Sequence, residues 1–117
     1  MTKDSVLPVK SKAFAIKIIR LYTELQNEKK EFVLSKQILR SGTSIGANIR
    51  EAIRGQSKAD FYAKLYISLK EAEETEYWLE LLCDTDFICH EKFDQLIKDC
   101  EEIIRILMAT LKHKDVN

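Results

Sequence analysis

Apolar side chains recur along almost the whole chain in alternating steps of three and four residues. That spacing puts them on one face of a helix with 3.6 residues per turn and leaves little room for any other secondary structure. Phe14, Ile18, Leu21 and Leu25 mark a first helix, expected over about residues 11–29 after a loose lead-in at 1–10. Ile38, Gly42, Ile45, Ile49 and Ala52 mark a second, over about 34–54. Phe61, Leu65, Leu69, Ala72, Leu79 and Cys83 mark a third, over about 57–83, and Phe93, Leu96, Cys100, Ile103, Leu107 and Leu111 a fourth, over about 90–112. Three glycines and one proline in 117 residues are too few turn residues for a many-stranded β fold. Four helices with short connections fold most simply up-down-up-down, so the sequence predicts an all-α antiparallel bundle at 11–113 with a short tail at 114–117.

The punctuation agrees. Gly55 suits a left-handed C-terminal cap, and Ser57 followed by Asp60 is a variant of the capping box. Gly42 and Gly46 lie inside the second helix, where each glycine costs about 1 kcal/mol relative to alanine. With Ser41, Ser44 and Ala47 they predict that another helix approaches closely there. Ser41 and Asn48 border this seam and are expected to hydrogen-bond the third helix at Ser68, Glu71 or Thr75.

Charge is strongly segregated. Met1–Lys70 carries 14 Lys and Arg against 6 Asp and Glu, and Glu71–Asn117 carries 5 against 13, so the halves are +8 and −8 in a chain of zero net charge. Opposed halves can neutralise each other within one bundle, pair between subunits, or leave a basic face for a polyanion. Away from the seam of the second helix, Lys36, Arg40, Arg50 and Arg54 form one basic stripe, a candidate for subunit pairing or for phosphate contact. On the third helix Ala63, Ile67, Trp78 and Leu81 make a second apolar stripe, and on the first Ile16 and Ile19 turn away from the Phe14 stripe. That surplus predicts self-association, with Glu73 and Glu80 as acidic partners for the basic stripe.

Catalytic chemistry finds little to build on. Di-iron bundles need paired Glu-x-x-His motifs, which are absent, and His90 and His113 stand near helix ends. Cys83, Cys89 and Cys100 lack zinc-ligand spacing, and Cys89 beside His90 is the one weak nucleophile candidate. The Gly42–Gly46 stretch lacks the glycine spacing and Lys-Ser/Thr of a phosphate loop. No catalytic site, cofactor, metal or small-molecule substrate is expected. No apolar run approaches the ~20 residues of a membrane span and the first ten residues lack a signal-peptide core, so a cytoplasmic location without membrane contact is expected.

The stretch Gln37–Ala52, with its Arg40-Ser41-x-x-Ser44-Ile45-x-x-Asn48-Ile49-x-Glu51 core, continues through Gln56–Phe61 to Lys70–Leu79. Over roughly residues 12–112 the chain closely resembles the bacterial four helix bundle protein family, whose founding members are encoded by intervening sequences in 23S ribosomal RNA genes. The resemblance implies an antiparallel bundle that assembles as a ring, commonly a homopentamer, with no established enzymatic activity. A related accessory protein of diversity-generating retroelements shares the fold, is basic, and works with a reverse transcriptase and nucleic acid. The family motif falls on Arg40, Ser41, Ser44, Asn48 and Glu51, of which Ser41 and Asn48 read as structural. A non-catalytic, homo-oligomeric scaffold or adaptor is therefore the expected function. The alternative is an RNA- or DNA-associated accessory protein that binds phosphates through the basic face of the second helix.

Overall fold

A computed structural model describes residues 6–115. Helix α1 spans Val6–Asn27, α2 Leu34–Ile53, α3 Lys58–Asp84 and α4 His90–Lys112, followed by a 3₁₀ turn at His113–Asp115. The first helix begins at Val6, five residues before its expected start, so the second half of the lead-in is helical. Pro8 is compatible with this, because a first-turn residue has no intrahelical partner for the N–H that proline lacks. Leu7 then packs against the core. The beginning of the lead-in and the end of the tail lie outside the described residues.

Each helix packs on two neighbours, α1 on α2 and α4, and α3 on α2 and α4. The bonds between helices fix their directions. Between α1 and α4, Lys10 meets Glu102, Lys17 meets Asp99 and Glu24 meets Lys92, so one numbering rises as the other falls. Ser41 with Thr75 and Ile45 with Ser68 do the same for α2 and α3, and Ala72 with Cys100 and Cys83 with His90 for α3 and α4. The result is the expected up-down-up-down bundle, 48 Å long. Its core is built from the predicted stripes, with Phe14, Ile18, Leu25, Ile38, Ile45, Ile49, Leu65, Leu79, Ile103 and Leu107 almost wholly removed from water.

Glycines set the α1–α2 distance. A Cβ on Gly42 would lie 2.8 Å from Ile18 Cγ2, and one on Gly46 would lie 3.1 Å from Ser11 Oγ, so the expected close crossing is with α1. Gly55 does not take the left-handed conformation expected of it. Its N–H instead donates to Ala52 O at 3.1 Å, within a turn so tight that a Cβ would sit 3.2 Å from Asp60 Cβ. Ser57 caps α3 as predicted, accepting from Asp60 N at 3.1 Å.

The start of α2 is held by a residue that the apolar pattern does not single out. Glu31 Oε2 accepts from Val33 N at 3.1 Å and Leu34 N at 2.9 Å, while Oε1 accepts from Ser35 N at 2.6 Å. Ser35 Oγ in turn donates to Glu31 O at 2.8 Å. Burial pushes the Glu31 carboxyl upward, but the backbone N–H groups of Leu34, Ser35 and Val33 outweigh it and leave the pKa below the ordinary glutamate value. A depressed carboxyl pKa contributes stability that is complete above the unfolded-state value and is lost as pH falls through the folded one. Glu31→Gln is therefore expected to cost about 1–2 kcal/mol at pH 7. In urea titrations the gap from the parent should close on going from pH 7 towards pH 2; a gap independent of pH would show that the carboxylate charge is not what caps the helix.

Candidate functional site

Charge segregation is partly spent inside the protomer. Arg40, half exposed on α2, bridges to Glu71 at 3.4 Å and to Glu74 on α3. With Lys10–Glu102 and Lys17–Asp99, this pair sets cations of the first half against carboxylates of the second, whereas Glu24–Lys92 runs the other way, and each such half-exposed pair is worth ~0–1 kcal/mol. Arg40 thereby leaves the basic stripe. Lys36, Arg50 and Arg54 remain exposed with no ion-pair partner among the described residues.

Arg50 and Arg54 border an open groove of about 1060 Å³ between α1 and α2. Its walls include Pro8, Ala15, Gly46 and Ala47, whose small side chains let the two backbones approach, and Lys12 adds a further cation. Glu51 and Asp60 also reach this groove, but Glu51 is bridged to Lys64 at 3.1 Å. Beside the groove, Ile16 and Ile19 stand 40% and 46% exposed on the outer face of α1.

The opposite edge of the bundle is acidic. Between α3 and α4 a shallow groove of about 280 Å³ is lined by Glu73, Glu76, Glu101, Ile104 and Arg105. The Glu76 pKa is raised, first by burial and then by repulsion from Glu101, Glu80 and Glu73. Because α1 and α2 pack side by side, as do α3 and α4, these two grooves face away from each other across the bundle. The protomer carries a cationic edge and an anionic edge on opposite sides.

The second apolar stripe of α3 is split. Ile67 is 42% exposed, and Tyr66 and Tyr77 extend the exposed strip. Trp78 and Leu81 are half-buried instead, and Trp78 packs against the core with its Nε1 buried and without a hydrogen-bond partner. Leu81 and Trp78 therefore offer less free surface than the sequence spacing suggests.

Of the five family-motif residues, Arg40, Ser41 and Glu51 reach α3, while Ser44 and Asn48 bond within α2. Ser44 Oγ donates to Arg40 O at 2.6 Å and Asn48 Nδ2 to Ser44 O at 2.9 Å, so Asn48 does not reach α3 as expected. Ser41 does, accepting from Thr75 Oγ1 at 2.8 Å, while Ser68 Oγ donates to Ile45 O at 2.8 Å. Ser41, Ser68 and Thr75 are fully buried polar groups satisfied by each other and by helix carbonyls, which fixes the α2–α3 register.

The thiols show no activation. Cys83 Sγ lies 3.5 Å from His90 Nδ1, so the histidine faces Cys83 and not the neighbouring Cys89. Burial and nearby Asp84, Asp94 and Asp86 raise the Cys83 pKa, and burial, then repulsion from Glu76, Glu101 and Asp99, pushes Cys100 up to about 12. A nucleophilic cysteine needs the reverse shift. In the native protein a disulfide reagent is expected to titrate the exposed Cys89 quickly and the other two only on unfolding; prompt reaction of two thiols would contradict this burial. Among the described residues, no cluster of three or more His, Cys, Asp or Glu side chains could hold a metal ion, and no helix is long and apolar enough to cross a membrane.

The family profile described as 23S rRNA-intervening sequence protein matches residues 3–109. The chain belongs to that family. It is also similar to a crystal structure of a protein of unknown function from the S23 ribosomal protein family of Bacteroides thetaiotaomicron. The two share 58% identity over 95% of this chain and 99% of that one, with a TM-score of 0.93. No curated protein matches the chain. Membership of the 23S rRNA-intervening sequence protein family fixes the bundle, and neither comparison connects it with a known enzyme activity.

Proposed function

We propose that the protein is a non-catalytic scaffold or adaptor that assembles with itself, the α1–α2 edge of one copy meeting the α3–α4 edge of the next. The observation that carries this reading is the placement, on opposite edges, of crowded carboxylates and of cations with no ion-pair partner among the described residues. Complementary surfaces on opposite sides associate head to tail, and a head-to-tail contact closes into a ring when its rotation permits. Lys36, Arg50 and Arg54 supply the positive side, and Glu73, Glu76 and Glu80 the negative side. A guanidinium from the next copy would relieve the repulsion that raises Glu76. Ile16 and Ile19, beside the cationic groove, add apolar area to the same contact. Ile67 lies on the outer face of α3, away from both grooves, and is the apolar residue best left for an adaptor's partner. The family resemblance makes five copies the expected number.

Light scattering across salt tests it. At ~0.1 M salt, where charges act over about 10 Å, the mass should be a multiple of 13.6 kDa, and at ~1 M, where they act over about 3 Å, it should fall. A 13.6 kDa particle at both salt levels and at high protein concentration would exclude self-assembly through these edges.

A second reading has one observation in its favour, that Lys36, Arg50 and Arg54 have no ion-pair partner among the described residues. Under it the same three side chains contact RNA or DNA phosphates. Affinity would then fall linearly on a log-log salt plot with a slope near −0.9 per phosphate on duplex DNA. No binding at low salt would exclude it.

A further inference from the structure

The end of the bundle that carries the α1–α2 and α3–α4 turns holds two large apolar side chains out in water. Val33 is 71% exposed and Phe32 50%, and neither is on a loose loop. The Glu31 carboxylate pins the backbone from Val33 to Ser35, and Lys30 holds a left-handed φ of 55° while Glu31 N donates to Leu25 O at 2.9 Å. A segment kept this rigid loses little entropy when something covers it.

The charges around this knob are ordered. Glu31, which would otherwise oppose Lys29 and Lys30, is buried and spent on backbone N–H groups, leaving Glu28 as the exposed carboxylate of the turn. Next to it, at the same end, the α3–α4 turn is acidic. Asp84, Asp86 and Glu91 are exposed and have no ion-pair partner among the described residues, and the Lys92–Glu24 bridge at 3.2 Å ties the two turns' helices together. One end face thus carries a cationic half with an apolar knob and an anionic half.

We propose that this end docks against the same end of a second copy, related by a two-fold axis. Turning one copy over sets each Lys29-Lys30 turn against the other copy's Asp84, Asp86 and Glu91, and covers Phe32 and Val33 with the other copy's α3–α4 turn. A surface that is complementary to itself associates in this isologous way. The contact is independent of the edges proposed for the ring and would join two rings, or two single protomers, back to back. Its area is small, so it forms at high protein concentration.

Two full-length variants test it by sedimentation equilibrium. Phe32→Ser with Val33→Ser should halve the particle mass at high concentration, whether the parent is a double ring or a dimer. Arg50→Glu with Arg54→Glu should instead reduce the number of copies per ring and leave the factor of two. Lys29→Glu with Lys30→Asp, and separately Asp84→Lys with Glu91→Lys, should each lose the end contact. Mixing the two should restore it, because both halves of the two-fold contact then become complementary. An unchanged mass in the Phe32/Val33 variant with intact helical circular dichroism overturns the proposal. So does a failure of the mixture to associate. Sedimentation of the parent with phosphatidylserine vesicles, abolished by Phe32→Ser with Val33→Ser, would overturn it in favour of a lipid surface.

Discussion

Replacing Gly42 by leucine is expected to destabilise the protein by about 3 kcal/mol or more, a large share of the ~5–15 kcal/mol that holds a domain of this kind together. Taking about 4 °C per kcal/mol for a domain of this size, the melting temperature should fall by roughly 12 °C. The physical reason is specific. A Cβ at this position meets Ile18 Cγ2 at 2.8 Å, Cγ1 at 2.9 Å and Cβ at 3.2 Å. Rotating the Ile18 side chain moves the first two atoms but not the third, and Ile18 has no free space around it at 0% exposure. The α1 helix must therefore shift as a body and drag Phe14 and Leu21 out of register. Alanine at Gly46 meets only Ser11 Oγ at 3.1 Å and Ser11 Cβ at 3.4 Å, and it gains about 1 kcal/mol of helix propensity, so that variant should be close to neutral. Ile18→Ala should recover part of the loss in the Gly42→Leu background, a coupling that a double-mutant cycle measures directly. A Gly42→Leu protein that melts with the parent would show that the two helices do not cross as closely as this.

Reversing the cationic edge should act on assembly and leave the protomer alone. Arg50→Glu with Arg54→Glu touches two exposed side chains with no ion-pair partner among the described residues, so thermal unfolding of the protomer should change little. At protein concentrations too low for the end-to-end contact, the assembled mass should collapse to 13.6 kDa, because the edge then carries the same sign as the α3–α4 groove it is meant to meet. Glu73→Lys with Glu80→Lys should do the same from the other side. Mixing the two variants gives a sharper readout. Each reversed edge fits only the other variant, so copies must alternate, and alternation cannot close a ring with an odd number of members. A five-membered parent should thus yield even-membered rings or open chains in the mixture. If the Arg50/Arg54 variant keeps the parent's mass, the edges do not carry the assembly.

The sequence by itself determined the number of helices, most of their ends and most of the core. Steps of three and four residues have one economical solution, and Phe14, Ile38, Leu65 and Ile103 land in the core because burying apolar area is the dominant favourable term in folding. The close approach at Gly42 and Gly46 was legible for the same reason, since glycine inside a helix is unfavourable unless its missing side chain makes room. Polar burial was legible only in part. Ser68 and Thr75 were expected as partners of α2, and Ser41 does bond Thr75, but the spacing singled out neither Ser35 nor Glu31, whose burial depends on acceptors and donors contributed by the local turn. Asn48 erred the other way: its spacing pointed to α3, but a carbonyl one turn back in α2 was nearer.

Charge divides along the same line. The opposed halves of the chain could be counted, yet only the packing decided which charges neutralise one another within the protomer. Arg40 leans onto Glu71 and Glu74 because α3 lies beside it, whereas Arg50 and Arg54 border the α1–α2 groove, out of reach of the acidic edge. Likewise Trp78 and Ile67 share a sequence stripe, but Trp78 falls partly under neighbouring helices and Ile67 does not. Periodicity is a property of one helix and can be read from one strand of sequence. Pairing, burial of hydroxyls and the separation of the two edges are properties of four helices at fixed distances, and the folded bundle alone sets those.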